Sequence, residues 1–221
     1  MSDMPNIAQV GALIGDPVRA LILGLLMDGS ERPAGELAAR AGVSPQGVSS
    51  HLARLLDGGL LSVRQHGRHR YFALRNADVA HAIETLSVVA PPSRSLRIDP
   101  ALRHARRCYD HLAGEVGVAL CGRLVARQFV VAGGDGYRVS DSGWNWAREI
   151  GLGEPHTRRA LVRPCLDWTE RRTHLAGWFG AALYALLEGK GAVKRRSGER
   201  TIDVTAPGRR FLARHFDLGG L

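Results

Sequence analysis

Two groups of side chains in this chain of 221 residues have types and spacings suited to chemistry. The first is Ser44, Gln46, Gly47, Ser49, Ser50, His51 and Arg54. Short polar side chains near the start of a helix suit base edges in a DNA major groove. Arg64, Arg68 and Arg70 follow, with His66 and His69, and no acidic residue occurs from Ser62 to Arg75. Guanidinium groups so placed suit phosphate. The second group is His104, Cys108, His111 and Glu115, at i, i+4, i+7 and i+11. A helix through them would present all four on one face. Their types suit zinc or another borderline metal, with His104, Cys108 and His111 as the candidate ligands, against the plainer reading of a histidine that serves the fold.

The elements that would position the first group are legible around it. Ala38 is small where two helices must cross, Gly42 can take a left-handed turn, and Val48 plugs the gap between the helices. Ser44 is a good N-cap, and Pro45 at the first helical position has no orphan N–H. Val48, Leu52, Leu55 and Leu56 turn inward, which leaves the polar set for another surface. This is a helix-turn-helix. Residues 60–65 then alternate, Gly67 turns the chain, and residues 68–74 alternate back, which predicts a β-hairpin. A helix-turn-helix followed by a basic hairpin is a winged helix. Upstream, a short apolar helix covers Ile7 to Ile14, and Asp16-Pro17 opens a second helix to Met27. Downstream, Asn76 caps a helix from Ala77 to Val89. The terminal helices expose Ile7, Val10, Ile14, Ile83, Leu86 and Val89, more apolar surface than this small core can cover, and these are the candidate dimer contacts.

Residues 5 to 90 resemble the ArsR/SmtB family of bacterial winged-helix repressors. The resemblance rests on Gly15-Asp-Pro-Val-Arg-Ala-Leu-Ile-Leu, Leu37-Ala-Ala-Arg-Ala-Gly-Val-Ser, Ser49-Ser-His-Leu-Ala-Arg-Leu-Leu, Gly59-Leu-Leu and Gly67-Arg-His-Arg-Tyr-Phe. It implies a homodimer formed by the first helix and the helix after the wing. It also implies operator binding relieved by an effector, and no catalysis. It names no effector. Where the arsenic-sensing members carry a Cys-x-Cys pair, this chain has Gly35-Glu-Leu-Ala-Ala. Of the ligand set on the last helix of the zinc- and nickel-sensing members it offers only Asp78 and His81, with Glu84 a turn later. The family's usual metal sites are therefore expected to be missing.

The prolines of residues 91–99 interrupt any helix and read as a linker between a winged-helix domain, 1–90, and a C-terminal domain, 100–221. The second domain contains a repeat, about 104–152 and 167–218. His111-Leu-Ala-Gly-Glu-Val-Gly-Val-Ala-Leu returns as His174-Leu-Ala-Gly-Trp-Phe-Gly-Ala-Ala-Leu, identical at seven of ten positions. Tyr137-Arg-Val-Ser-Asp-Ser-Gly is echoed by Ile202-Asp-Val-Thr-Ala-Pro-Gly. The expected fold is mostly α with small β-hairpins, the second domain being a pseudo-duplicated helix–strand–helix unit. Its two His-Leu-Ala-Gly helices are expected to pack together over the small residues at 113, 114, 117, 176, 177 and 180. The four tryptophans all lie here, as core or as pocket lining.

The net charge of +9, nearly all from arginine, favours a polyanionic partner. Three cysteines fit a reducing cytoplasm better than a disulfide framework, and there is no signal-peptide layout or apolar run of membrane length. An enzyme of methyltransferase type, using the winged helix only to dimerise, would need a strand, a glycine-rich loop and a helix after residue 100. The one glycine cluster, Gly133-Gly-Asp-Gly, sits in a hairpin. The expectation is a cytoplasmic, homodimeric DNA-binding regulator, a repressor on double-stranded operator DNA, needing no cofactor to bind and released by a metal or small-molecule effector. A methyltransferase-like enzyme and a non-specific nucleic-acid-binding protein are the alternatives.

Overall fold

The computed structural model describes residues 4–91, 98–133 and 136–220. They divide into two compact units, one running to Ile83, the other made of residues 84–91 and those from Ile98 onward. Residues 92–97 of the expected linker lie outside the described residues.

The N-terminal unit comprises α1 (Ile7–Ile14), α2 (Pro17–Leu25), β1 (Arg32–Pro33), α3 (Ala34–Ala41), α4 (Pro45–Asp57), β2 (Leu61–His66), β3 (His69–Leu74) and the first half of α5 (Ala77–Val89). Local chemistry starts and stops these helices. Asp16 Oδ1 accepts from the backbone N–H of Val18 and Arg19, both at 2.9 Å, with Pro17 at the first position of α2. Such caps are worth about 0.5–2 kcal/mol each. Gly42 ends α3 at φ +67°, and Ser44 accepts from Gly47 N at 3.1 Å to open α4. The buried Arg19 donates to the carbonyls of Leu13 (2.6 Å) and Ala12 (2.7 Å), satisfying the C-terminal end of α1. Ile22, Leu26, Leu37, Val48 and Leu55 are fully buried and form the heart of the core. β2 and β3 pair from Leu61↔Leu74 to His66↔His69, and β1 adds a third strand in the order β1-β3-β2.

The C-terminal unit holds α6 (Pro100–His104), β4 (Arg106–Cys108), β5 (His111–Ala113), α7 (Gly114–Ala126), β6 (Val130–Gly133), β7 (Gly136–Val139) and α8 (Asp141–Ile150). It repeats the last six as β8 (Arg163–Leu166), β9 (Thr173–Ala176), α9 (Gly177–Gly189), β10 (Val193–Arg195), β11 (Ile202–Val204) and α10 (Ala206–Phe216). Each half thus runs hairpin, helix, hairpin, helix. Ser140 and Thr205 are matching N-caps, each accepting from the glycine three residues on at 3.0 Å. A Cβ on Gly143 would lie 2.1 Å from Phe129 O, and one on Gly208 only 1.8 Å from Ala192 O. The Ser/Thr-x-x-Gly signature is therefore a cap followed by a site of backbone contact. Trp146 stacks on Phe129 and meets Phe216 edge-on, while Trp144 and Trp178 pack on the same core, so these aromatics are core.

Two expectations are corrected here. His104, Cys108, His111 and Glu115 do not share a helix face. Ala105 leaves α6 in an extended conformation (φ −150°, ψ 131°), and Tyr109 turns the β4–β5 hairpin at φ 55°. Cys108 and His111 are cross-strand partners in that hairpin, and His104 Nδ1 lies 3.2 Å from Glu115 Oε2. Nor are the His-Leu-Ala segments helical. They are strands β5 and β9, and each helix starts at the following glycine, Gly114 or Gly177, both at φ +81°.

The packing of the small residues also differs from expectation. α7 lies against β9 and α9 against β5, a crossed arrangement in which β5 and β9 meet. A Cβ on Gly117 would sit 2.5 Å from Leu112 O, and one on Gly180 2.2 Å from Leu175 O, so these glycines seat each helix on its own strand. Gly180→Ala should therefore destabilise the chain by about 1–3 kcal/mol through overpacking. Gly122, inside α7, has nothing within 4 Å of the point a Cβ would occupy. Gly122→Ala should stabilise by about 0.5–1 kcal/mol. Urea unfolding of both variants checks the opposite signs.

Candidate nucleic-acid interface

α4 and the β2–β3 wing carry the first group of residues. α4 turns Val48, Leu52 and Leu55 into the core and leaves Gln46, Ser49, Ser50 and Arg54 exposed. Ser49 Oγ donates to Pro45 O at 2.8 Å. Ser44 is engaged as the N-cap, and Gly47 packs beneath it: a Cβ there would lie 3.3 Å from Ser44 Oγ. His51 is turned the other way, half-buried, with Nδ1 3.6 Å from Asp16 Oδ1 at the start of α2. That nitrogen is buried and makes no hydrogen bond.

The wing is more selective than its composition indicated. Gly67 turns it at φ +58°, and Arg68, His69 and Arg70 are exposed around the tip. The Arg70 guanidinium lies 5.3 Å from the Phe72 ring centroid, which braces its stem. Arg64 is different. Its Nε donates to Glu31 Oε2 at 2.9 Å, and a second donor from the same guanidinium reaches that oxygen. The hydrogen bonds from Arg64 hold the Glu31 carboxyl below its ordinary pKa. Glu31 lies just before β1, a strand too short to leave a sequence pattern. The acid-free run from Ser62 to Arg75 gave no sign of a counter-ion 33 residues upstream. Among the described residues, Arg54, Arg68 and Arg70 form no ion pair, so the uncompensated charge stands on α4 and at the wing tip.

The expected dimer contacts fall into two sets. Ile7, Val10, Leu86 and Val89 are exposed, at 72%, 41%, 47% and 80%. Ile14 and Ile83 are half-buried against the core of the N-terminal unit. Asp78 and His81 are exposed on α5, while Glu84 is buried, accepting from Trp168 Nε1 at 3.0 Å and from Arg200 at 2.5 Å. Glu84 is thus committed to its own unit. Among the described residues no single helix is long and apolar enough to cross a membrane.

Known proteins are similar to this chain in the helix-turn-helix and beyond it. Residues 14–64 match the family model described as a helix-turn-helix domain. The HTH-type transcriptional regulator YdfF of Bacillus subtilis is 39% identical over 222 residues, 97% of this chain and 98% of its own length. CmtR of Mycobacterium tuberculosis, also an HTH-type transcriptional regulator, is 38% identical over 80 residues, 36% of this chain and 67% of its own. Among solved structures, the homodimeric winged helix-turn-helix domain of Mb0332 from Mycobacterium bovis is 28% identical, with a TM-score of 0.36 over 40% of this chain and 89% of that one. The full-length match to YdfF extends through the C-terminal unit. The chain belongs to the HTH-type transcriptional regulators, DNA-binding proteins rather than enzymes, with a winged helix-turn-helix and a further C-terminal unit.

Proposed function

We propose that this regulator is a cytoplasmic, homodimeric repressor that holds double-stranded operator DNA through α4 and the wing and lets go when an effector binds. The observation that carries the reading is the exposed polar face of α4 beside a wing tip whose guanidiniums have no acidic partner among the described residues. In a twofold dimer, two copies of α4 would enter successive major grooves about one helical turn apart. Gln46, Ser49 and Ser50 are assigned to base edges, and Arg54, Arg68 and Arg70 to phosphates. The apolar residues exposed on α1 and α5 are assigned to the second chain, because surfaces of that kind mark interfaces.

The test begins with selection of bound DNA fragments, followed by titrations at several salt concentrations. Arg68→Ala should weaken binding to every sequence and make the slope of log K against log[salt] shallower by about one unit. Gln46→Ala or Ser50→Ala should narrow the difference between operator and random DNA instead. Glu31→Gln should free Arg64, tighten binding to all DNA and steepen the same slope by about one unit. Wild-type behaviour in all of these variants would sink the assignment.

Assembly is tested separately. Leu86→Glu with Val89→Glu changes two exposed positions, so the fold should persist while the dimer splits and operator affinity falls with it. Sedimentation of a folded, still dimeric double variant would place the interface elsewhere.

A further inference from the structure

The duplication brings four metal-ligating side chains together that no single stretch of sequence displays. In β4–β5 the cross-strand partner of Cys108 is His111, and in β8–β9 the partner of Cys165 is His174. The two hairpins meet along β5 and β9. One ligand atom from each of the four residues lies within 4.8 Å of all the others. His111 Nε2 and His174 Nε2 are 3.1 Å apart. Two nitrogens each held 2.0–2.1 Å from a tetrahedral centre would be about 3.3 Å apart.

Each imidazole also turns its other nitrogen to a carboxylate of its own half. His111 Nδ1 is in hydrogen-bond contact with Asp110 Oδ1 at 3.3 Å, whereas His174 Nδ1, 3.5 Å from Asp167 Oδ2, is buried without a hydrogen bond. Asp110 ends the connection between β4 and β5, and Asp167 begins the one between β8 and β9. A carboxylate hydrogen-bonded behind the imidazole, as Asp110 is behind His111, is the usual support of a metal-binding histidine. The two Nε2 atoms face each other across 3.1 Å, so both front nitrogens are aimed at one point. His174 is 1% exposed, Cys108 3% and His111 4%, and Cys165 is half-buried. A divalent cation with two thiolates and two neutral imidazoles carries no net charge, so this assembly can be buried where an unpaired charge could not.

We propose that Cys108, His111, Cys165 and His174 bind one zinc ion in a closed, tetrahedral, structural site that staples the two halves of the C-terminal unit. Binding displaces one proton from each thiol to solvent, and four protein ligands leave no position for a substrate. The proposal is independent of the operator and effector assigned above. Cys121, buried on α7, is no part of the set and serves as the internal control.

The experiment uses the full chain, purified under reducing conditions and stripped of metal, with cobalt(II) alone as the probe. Cobalt should bind at one equivalent per chain, with the ligand-field bands of a tetrahedral ion and a thiolate-to-cobalt charge-transfer band. Added zinc should erase both and shift the melting temperature upward. Cys165→Ser, at the least buried of the four positions, should weaken the charge-transfer band and lose the zinc-dependent shift. Cys121→Ser should keep both. Circular dichroism establishes that each variant is folded, and His111→Asn serves if a cysteine variant is not. A folded, reduced wild type that gives no charge-transfer band overturns the proposal. So does a Cys121→Ser chain that loses the signal as fully as Cys165→Ser. A reduced chain that refuses cobalt but closes a Cys108–Cys165 disulfide on oxidation overturns it in favour of a redox pair.

Discussion

Asp167 is 1% exposed, and on its carboxylate the architecture of the C-terminal unit converges. Oδ1 accepts from Arg106 at 2.8 Å, from the Thr169 hydroxyl at 2.7 Å and from the backbone N–H of Thr169 and Glu170. Oδ2 accepts from Gly114 N at 2.7 Å, the first residue of α7. One side chain of the second half thus caps a helix of the first and neutralises a buried guanidinium of the first. Burial pushes the Asp167 carboxyl up, but the charge and hydrogen bonds of Arg106 outweigh it, and the group is held well below the usual carboxylate range. A carboxyl depressed in the folded state stabilises above its unfolded pKa and loses that contribution as pH falls through the folded value. Arg106 is equally buried and lies 5.1 Å from the Trp168 ring. Removing Arg106 would strand the Asp167 charge, at a cost of about 3–5 kcal/mol, whereas Arg106 also has Glu84 at 3.8 Å.

Charge elsewhere is arranged by subtraction. The chain carries a formal +9, yet many of its arginines are already matched. Arg32 bonds Asp28 and Glu36, Arg103 bonds Glu170, Arg127 bonds Asp217 and Arg196 bonds Asp203. The exposed pairs among these add little to stability. What they do is decide where positive potential remains. Arg54, Arg68 and Arg70 keep theirs, while Arg64 in the same wing does not, because Glu31 has taken it. Composition alone weighs these residues equally.

The winged helix was legible because its signals are local. Asp16-Pro17, Ser44-Pro45 and Gly42 each act within a few residues of their own position, and the wing needs only one tight turn at Gly67. The C-terminal repeat was visible as a repeat, but its elements were misread where the deciding interaction is remote. His111-Leu-Ala joins Gly114 onward in one apolar run, and nothing nearby shows that it pairs with Arg106–Cys108 as a strand. The left-handed glycine that separates strand from helix reads equally well as a small residue on a helix face. Glu84 lies 84 residues from the Trp168 indole it accepts from, and His51 comes to lie near Asp16, 35 positions earlier. Such pairings have no periodicity to betray them.

Sequence offers Cys108 and His111 as candidate ligands but does not join Cys165 and His174 to them, for a related reason. At the repeat offset of 63 that relates His111 to His174, Cys108 corresponds to Arg171, so the alignment holds only one ligand type in common. The structure aligns the copies by strand register instead. β4 and β5 are joined through Tyr109-Asp110, while β8 and β9 are joined by the longer connection 167–172, which moves the second cysteine away from its sequence counterpart without moving it from its histidine. That longer connection also holds Thr169 and Glu170, whose backbone N–H groups wrap Asp167, whereas Asp110 stays near the surface and pairs with Arg159. The two arms have therefore diverged behind the histidines while keeping the same four groups in front. Duplication of a two-ligand hairpin, followed by close approach of the copies along β5 and β9, is enough to convert a pair that could hold a cation only weakly into a complete set.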